Sequence, residues 1–206
     1  MSAKRIPLFP LEVVLFPGIA LPLHIFEPRY KLMVRRCLGE QSEFGVILAR
    51  AEGIAPVGCT AEIIKVVKEY EDGRMDILTI GKNAYRVMEV FNQQPYLEAA
   101  VEYLQEETSS PRAEMQARLL ELYERCHALV YGRKPQSPQL STGCSVAFQV
   151  ANDLPLDLDC KQELLEIRSE AERQGRLLER LDHWLPQLAH LEHMRAKVGG
   201  NGHGVQ

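Results

Sequence analysis

The 206-residue chain lacks any uninterrupted apolar run of the ~18 residues that a membrane-spanning helix needs, which excludes a membrane anchor. It lacks a positive excess. Formal net charge is -4 and the sequence pI is near 5.9, so nucleic acid is disfavoured as a main partner. No C-x-x-C pair occurs among its five widely spaced cysteines, and the number is odd. That pattern predicts free thiols in a reducing compartment, hence a cytoplasmic protein. No G-x-x-x-x-G-K-[ST] phosphate loop is present, which excludes that route to nucleotide binding. Internal repeats are absent too.

The chain is rich in apolar residues, at 46%, with 25% charged, enough for a sizeable core. Its most informative stretch is Ile6 to Tyr30, IPLFPLEVVLFPGIALPLHIFEPRY. Lys4 and Arg5 ahead of it mimic a secretory leader. The internal prolines, Glu12 and the missing A-x-A site speak against one. Pro7, Pro10, Pro17, Pro22 and Pro28 forbid a continuous helix, because each removes an amide donor and fixes φ. The segment reads as short strands, with a turn at Pro17-Gly18 and a helix opening at Glu27-Pro28. Tyr30, Met33, Val34, Cys37 and Leu38 then recur at helical spacing up to Gly39.

Further strands are predicted at Phe44–Ala49, Thr60–Tyr70, Met75–Ile80, Tyr85–Phe91 and Tyr96–Tyr103. Asp72-Gly73 forms a hairpin turn and Gly81 a break. The polar stretch Gln105–Ser110 marks a boundary, after which apolar spacing becomes helical. A helix follows Pro111, a short one lies within Ser141–Asn152, and one is capped by Asp159. Another starts at Ser169 and is kinked or ended by Pro186. The expectation is an α+β protein. An antiparallel barrel or sheet with one helix occupies 1–106, a helical bundle 107–198, and a flexible glycine-rich tail 199–206.

Taken together these residues resemble the Lon protease N-terminal domain family, also seen in cereblon. IPLFPLEVVLFPG and LPLHIFEPRYKLMV are similar to its opening strands and first helix. GCTAEIIKVVKEYEDGRMDILTIGKNAYRV is similar to its central hairpin, and ANDLPLDLDCKQELLEI with ERLDHWL to its helical half. The ordered set covers roughly residues 5 to 185. Ala84 stands where the family often has Arg, so no role is carried over for that position. The resemblance implies a PUA-like barrel followed by helices. It further implies a stand-alone recognition domain, not an enzyme and without a cofactor. Its partner would be an unfolded or client polypeptide, handled with or without a separate ATPase or protease.

Candidate binding residues are Phe16, Ile19, Leu21, Arg29 and Tyr30, grouped around a turn and a helix entry. The competing reading makes Phe16 to Leu23 barrel core. His183, His190 and His193 are read as solvated helix positions and not as metal ligands. Cys126 next to His127 is no catalytic pair, since adjacent helical positions face apart. Lys65, Lys68, Arg74, Lys82 and Arg86 leave RNA binding as an alternative, against the offsetting acids Glu62, Glu69, Glu71, Asp72, Asp76 and Glu89.

Overall fold

A computed structural model of the chain describes residues 4–107, 111–135 and 144–200, with side chains through residue 194. The elements run β1 (Lys4–Leu11), β2 (Ala20–Ile25), α1 (Pro28–Glu40), β3 (Phe44–Arg50), β4 (Gly53–Ile54) and β5 (Val57–Glu69). They continue with β6 (Met75–Phe91), β7 (Glu98–Tyr103), α2 (Ala113–Tyr131), α3 (Val146–Asp153), α4 (Leu158–Glu166) and α5 (Glu170–Gly200). The protein is α+β, strands and one helix first and helices after. Residues 201–206 of the expected tail lie outside the described residues.

Five strands close on themselves in the order β1-β7-β6-β5-β3, and a parallel β1–β3 pairing shuts the ring. All other pairings between the described strands are antiparallel. Ile6, Leu8, Ile47, Tyr85, Ala99 and Val101 fill the closed barrel. Tyr85 takes the centre and donates its hydroxyl to the Val46 carbonyl at 3.2 Å. A Cβ on Gly45 or Gly58 would stand 2.4 or 2.5 Å from the Tyr85 oxygen, so glycine at both positions makes room for the ring.

β5 and β6 are too long for the barrel, and their excess grows out of it as an arm. Residues 61–69 of β5 pair with 75–81 of β6, and β2 pairs with the same half of β6. Gly81 does not break β6 as expected. It lets the Phe16–Ile19 turn dock there: Gly18 donates to the Gly81 carbonyl at 2.8 Å, and a Cβ on Gly81 would meet the Phe16 oxygen at 2.1 Å. The turn itself forms as expected, with Gly18 at φ 79° and Ile19 N–H to Phe16 C=O.

α1 opens on Pro28 as expected but runs past Gly39 to Glu40, and Gln41 takes the left-handed cap at φ 50°. Asp157, and not Asp159, caps α4, accepting from Cys160 N–H at 2.7 Å. α5 continues through Pro186. β4, two residues long, was not anticipated. The main core joins both halves of the chain, and Phe16 stacks on Phe148 of α3 with centroids 4.7 Å apart. The β7–α2 linker is fastened to the α4–α5 connector. Glu107 N–H donates to Arg168 C=O, Arg168 Nε to Gln105 C=O, and Arg173 grips Glu106 with both Nη atoms at 2.8 Å.

Candidate functional site

Alternation decides which side chains of the arm reach solvent. Leu21, Leu23, Ile63 and Val66 turn inward against the core, together with Ile25, Met75 and Ile77. Ala20, Pro22 and His24 of β2 turn outward, beside their cross-strand partners Ile80, Leu78 and Asp76. Two register shifts in β5, between Ile63 and Lys65 and between Val66 and Lys68, insert one extra residue each. The extra residues are Ile64 and Val67, 54% and 60% exposed. A bulge changes the facing of its strand, and here it adds aliphatic groups to the solvent side. The outer face therefore carries Ala20, Pro22, Leu78, Ile80, Ile64 and Val67, with none of them buried.

One end of this face is polar and aromatic. His24 donates through Nδ1 to Asp76 at 2.6 Å, and Tyr70 donates to the other oxygen of the same carboxylate at 2.8 Å. These hydrogen bonds, His24 first, hold Asp76 below the usual carboxylate range. Phe26, 59% exposed, stacks near His24 with centroids 6.0 Å apart. At the other end Lys82 pairs with Glu62 at 2.9 Å, which raises the lysine.

The five residues singled out from sequence fall in different places. Phe16 is fully buried and Tyr30 is 7% exposed, so both serve the core. Burial pushes the Tyr30 phenol up, partly offset by the neighbouring Arg29 charge. Ile19 and Leu21 are half-buried and pack on the core from the inner side. Only Arg29 is exposed. It pairs with Glu27 at 2.8 Å and lies over the Tyr30 ring. The outward neighbours Ala20, Pro22 and His24 were missed, although the period of two that buries Leu21, Leu23 and Ile25 already implied them. Ile64 and Val67 carried no such signal, because a bulge is a property of the paired strands.

Two other concavities are lined by charged groups already engaged. A cleft of about 520 Å3 on the helical half has Arg176 paired with Glu163 and Arg180 with Asp157. A cleft of about 430 Å3 at the junction is lined by Cys144, Ser145, Glu170 and Arg173. There Ser145 and Arg173 both donate to Glu170. The five cysteines are unpaired; burial raises the thiols of Cys37, Cys59, Cys126 and Cys160. Among the described residues no group of three or more His, Cys, Asp or Glu side chains is placed to hold a metal ion. No described helix is long and apolar enough to cross a membrane.

Comparison with known proteins agrees with this architecture. The chain is similar to a Lon N-terminal domain protein from Xanthomonas campestris. The TM-score is 0.70 at 26% identity, covering 85% of this chain and 98% of that one. It is 24% identical over 184 residues to the Lon protease of Amoebophilus asiaticus, covering 82% of this chain and 22% of the protease. It is 33% identical over 148 residues to protein cereblon of Xenopus tropicalis, covering 66% of this chain and 32% of cereblon. The chain thus spans between a fifth and a third of the length of these two curated relatives. The family model for the ATP-dependent protease La (LON) substrate-binding domain matches residues 5–183, and the chain belongs to that family.

Proposed function

We propose that this chain is a non-catalytic polypeptide-recognition domain that holds client segments in protein quality control. One observation carries the reading: in a chain of a substrate-binding domain family, the outer face of the arm leaves aliphatic side chains on three adjacent strands uncovered. Soluble chains rarely leave such a surface unless it meets something. Apolar contact there contributes ~25 cal/mol per Å2 removed from water. Leu21 and Ile19 support the face from beneath, and Arg29 remains a proposed contact at its helix entry. The unpaired cysteines accord with a cytoplasmic setting.

The test is equilibrium binding of a permanently unfolded model protein, followed by fluorescence anisotropy over a salt series. Binding that persists from about 0.05 to about 0.5 M salt is the expected result, because apolar contact is not screened. Absence of binding at every salt overturns the reading. An RNA-binding function, which the lysines of the same region would serve, predicts instead steep weakening with salt for a short single strand. Purified protein is expected not to turn over ATP and not to cleave casein.

A further inference from the structure

The outer face of the arm is not neutral. Its two carboxylates are already engaged: Glu62 by Lys82 at 2.9 Å, and Asp76 by His24 and Tyr70. Lys65, directly opposite Leu78, has no carboxylate in ion-pair reach among the described residues. Lys68 lies opposite Asp76, whose carboxyl its charge helps to lower, with its Nζ 4.4 Å from the Tyr70 ring centroid; among the described residues it has no carboxylate within ion-pair distance. Each stands next to an exposed bulge residue, Ile64 or Val67. With Lys65, Lys68 and Lys82 set against Glu62 and Asp76, the face beside the aliphatic strip carries an excess of one positive charge, on a chain whose net charge is -4.

We infer that this face selects extended polypeptide segments in which apolar side chains lie next to acidic ones. The inference rests on the polypeptide-binding reading and names the class of segment. Three features support it. First, the strip is about 10 Å wide across three strands and about 13 Å long from residue 20 to 24, enough for four or five extended residues. Second, Pro22 removes one N–H from β2, whose sole strand partner among the described residues is β6, so the strand's free edge is a poor template for another strand. Recognition then runs through side chains across the face, where Lys65 and Lys68 meet acidic neighbours of the apolar groups. Third, the middle of the face is aliphatic, whereas single-stranded RNA needs aromatic platforms for its bases and a longer track of cations.

The experiment uses the full chain and short labelled peptides of one apolar sequence flanked by Glu, by Gln or by Lys, with a short oligouridine as a further probe. At about 50 mM salt the Glu-flanked peptide is expected to bind roughly tenfold tighter than the Lys-flanked one, and the gap should narrow at about 0.5 M. The double variant Lys65→Glu, Lys68→Glu should reverse the order; the carboxylate placed opposite Asp76 lowers its stability somewhat, and a cooperative thermal transition shows that it is still folded. Ile64→Ser with Val67→Ser should weaken all three peptides alike. Peptides that bind equally, or whose order is unchanged in the lysine variant, overturn the inference and leave the polypeptide-binding reading standing. Binding of oligouridine with no binding of any peptide overturns both.

Discussion

The barrel and the arm share β5 and β6, yet they solve opposite problems. In the barrel, both edges of every strand are satisfied and the interior is filled by five side chains around Tyr85. Closure removes the edges that an open sheet leaves available. In the arm, the same two strands run on with β2 as an unclosed third, one face packed on the core and the other wet. The barrel closes every strand edge, whereas the arm keeps one face in solvent. Substitutions should therefore cost most where the sheet is closed and least on the arm's outer side.

The largest expected effect is at the barrel centre. Tyr85→Ala empties the closed ring and should lower stability by about 4 kcal/mol, measured by urea unfolding. Gly58→Ala attacks the same point from the other side. Its Cβ would lie 2.6 Å from the Val46 carbonyl oxygen, and backbone cannot swing away as a side-chain tip can. A cost of about 3 kcal/mol is expected. A wild-type-like midpoint for both variants would break the contrast between the two regions.

Next comes the fastening between the halves. Arg173, 2% exposed, bonds Glu106, Glu170 and the Ile167 carbonyl and lies over the Phe148 ring. Arg173→Met keeps the stem but leaves the mostly buried Glu170 with one cation fewer, and should cost about 3 kcal/mol. Two separate unfolding transitions in that variant would show that Arg173 couples the halves. A single transition would show that the shared core suffices.

How much of this was readable follows the same division. Strand and helix types were legible, because Leu21, Leu23 and Ile25 alternate and Leu177, Leu181 and Trp184 step by three or four. A barrel was one of the expected forms of the sheet, but the parallel β1–β3 pairing that closes it was not legible, since it joins segments whose register no local pattern records. Gly81 and Gly39 look like breaks in the sequence. One serves a close approach by Phe16 and the other sits in a helix with open space around it. Phe16 looked like a turn-tip residue fit for a partner, but its partner is Phe148, 132 positions away. The outer face needed both pairing and bulges, which only the assembled arm reveals.

Within the arm, the two faces of one strand should separate cleanly. Val66 packs inward and Val67, its neighbour, is 60% exposed. Val66→Ala should cost about 1.5 kcal/mol and Val67→Ala no more than about 0.5 kcal/mol by thermal denaturation. Equal costs would mean that the bulge does not hold Val67 out in solvent, and the aliphatic strip would lose one of its members.

The smallest effect lies far from the arm and tests whether the helical half has a pH dependence of its own. Asp157 caps α4, and the hydrogen bond from Cys160 N–H, with the nearby Arg180 charge, holds its carboxyl below the ordinary value of 3.8. A carboxyl lowered in the folded state binds its proton more readily when unfolded. Its contribution is complete above the ordinary carboxylate range and drains away as pH falls through the lowered folded value. Asn caps a helix as well as Asp but does not titrate, and the exposed pair with Arg180 is worth little. Asp157→Asn should thus cost less than about 1 kcal/mol at neutral pH. The gap to wild type should close as the pH is brought down to about 2, because only wild type loses the charged cap. Urea midpoints of both proteins across that range decide it. A gap that is constant with pH would mean that the cap contributes through its hydrogen bond alone.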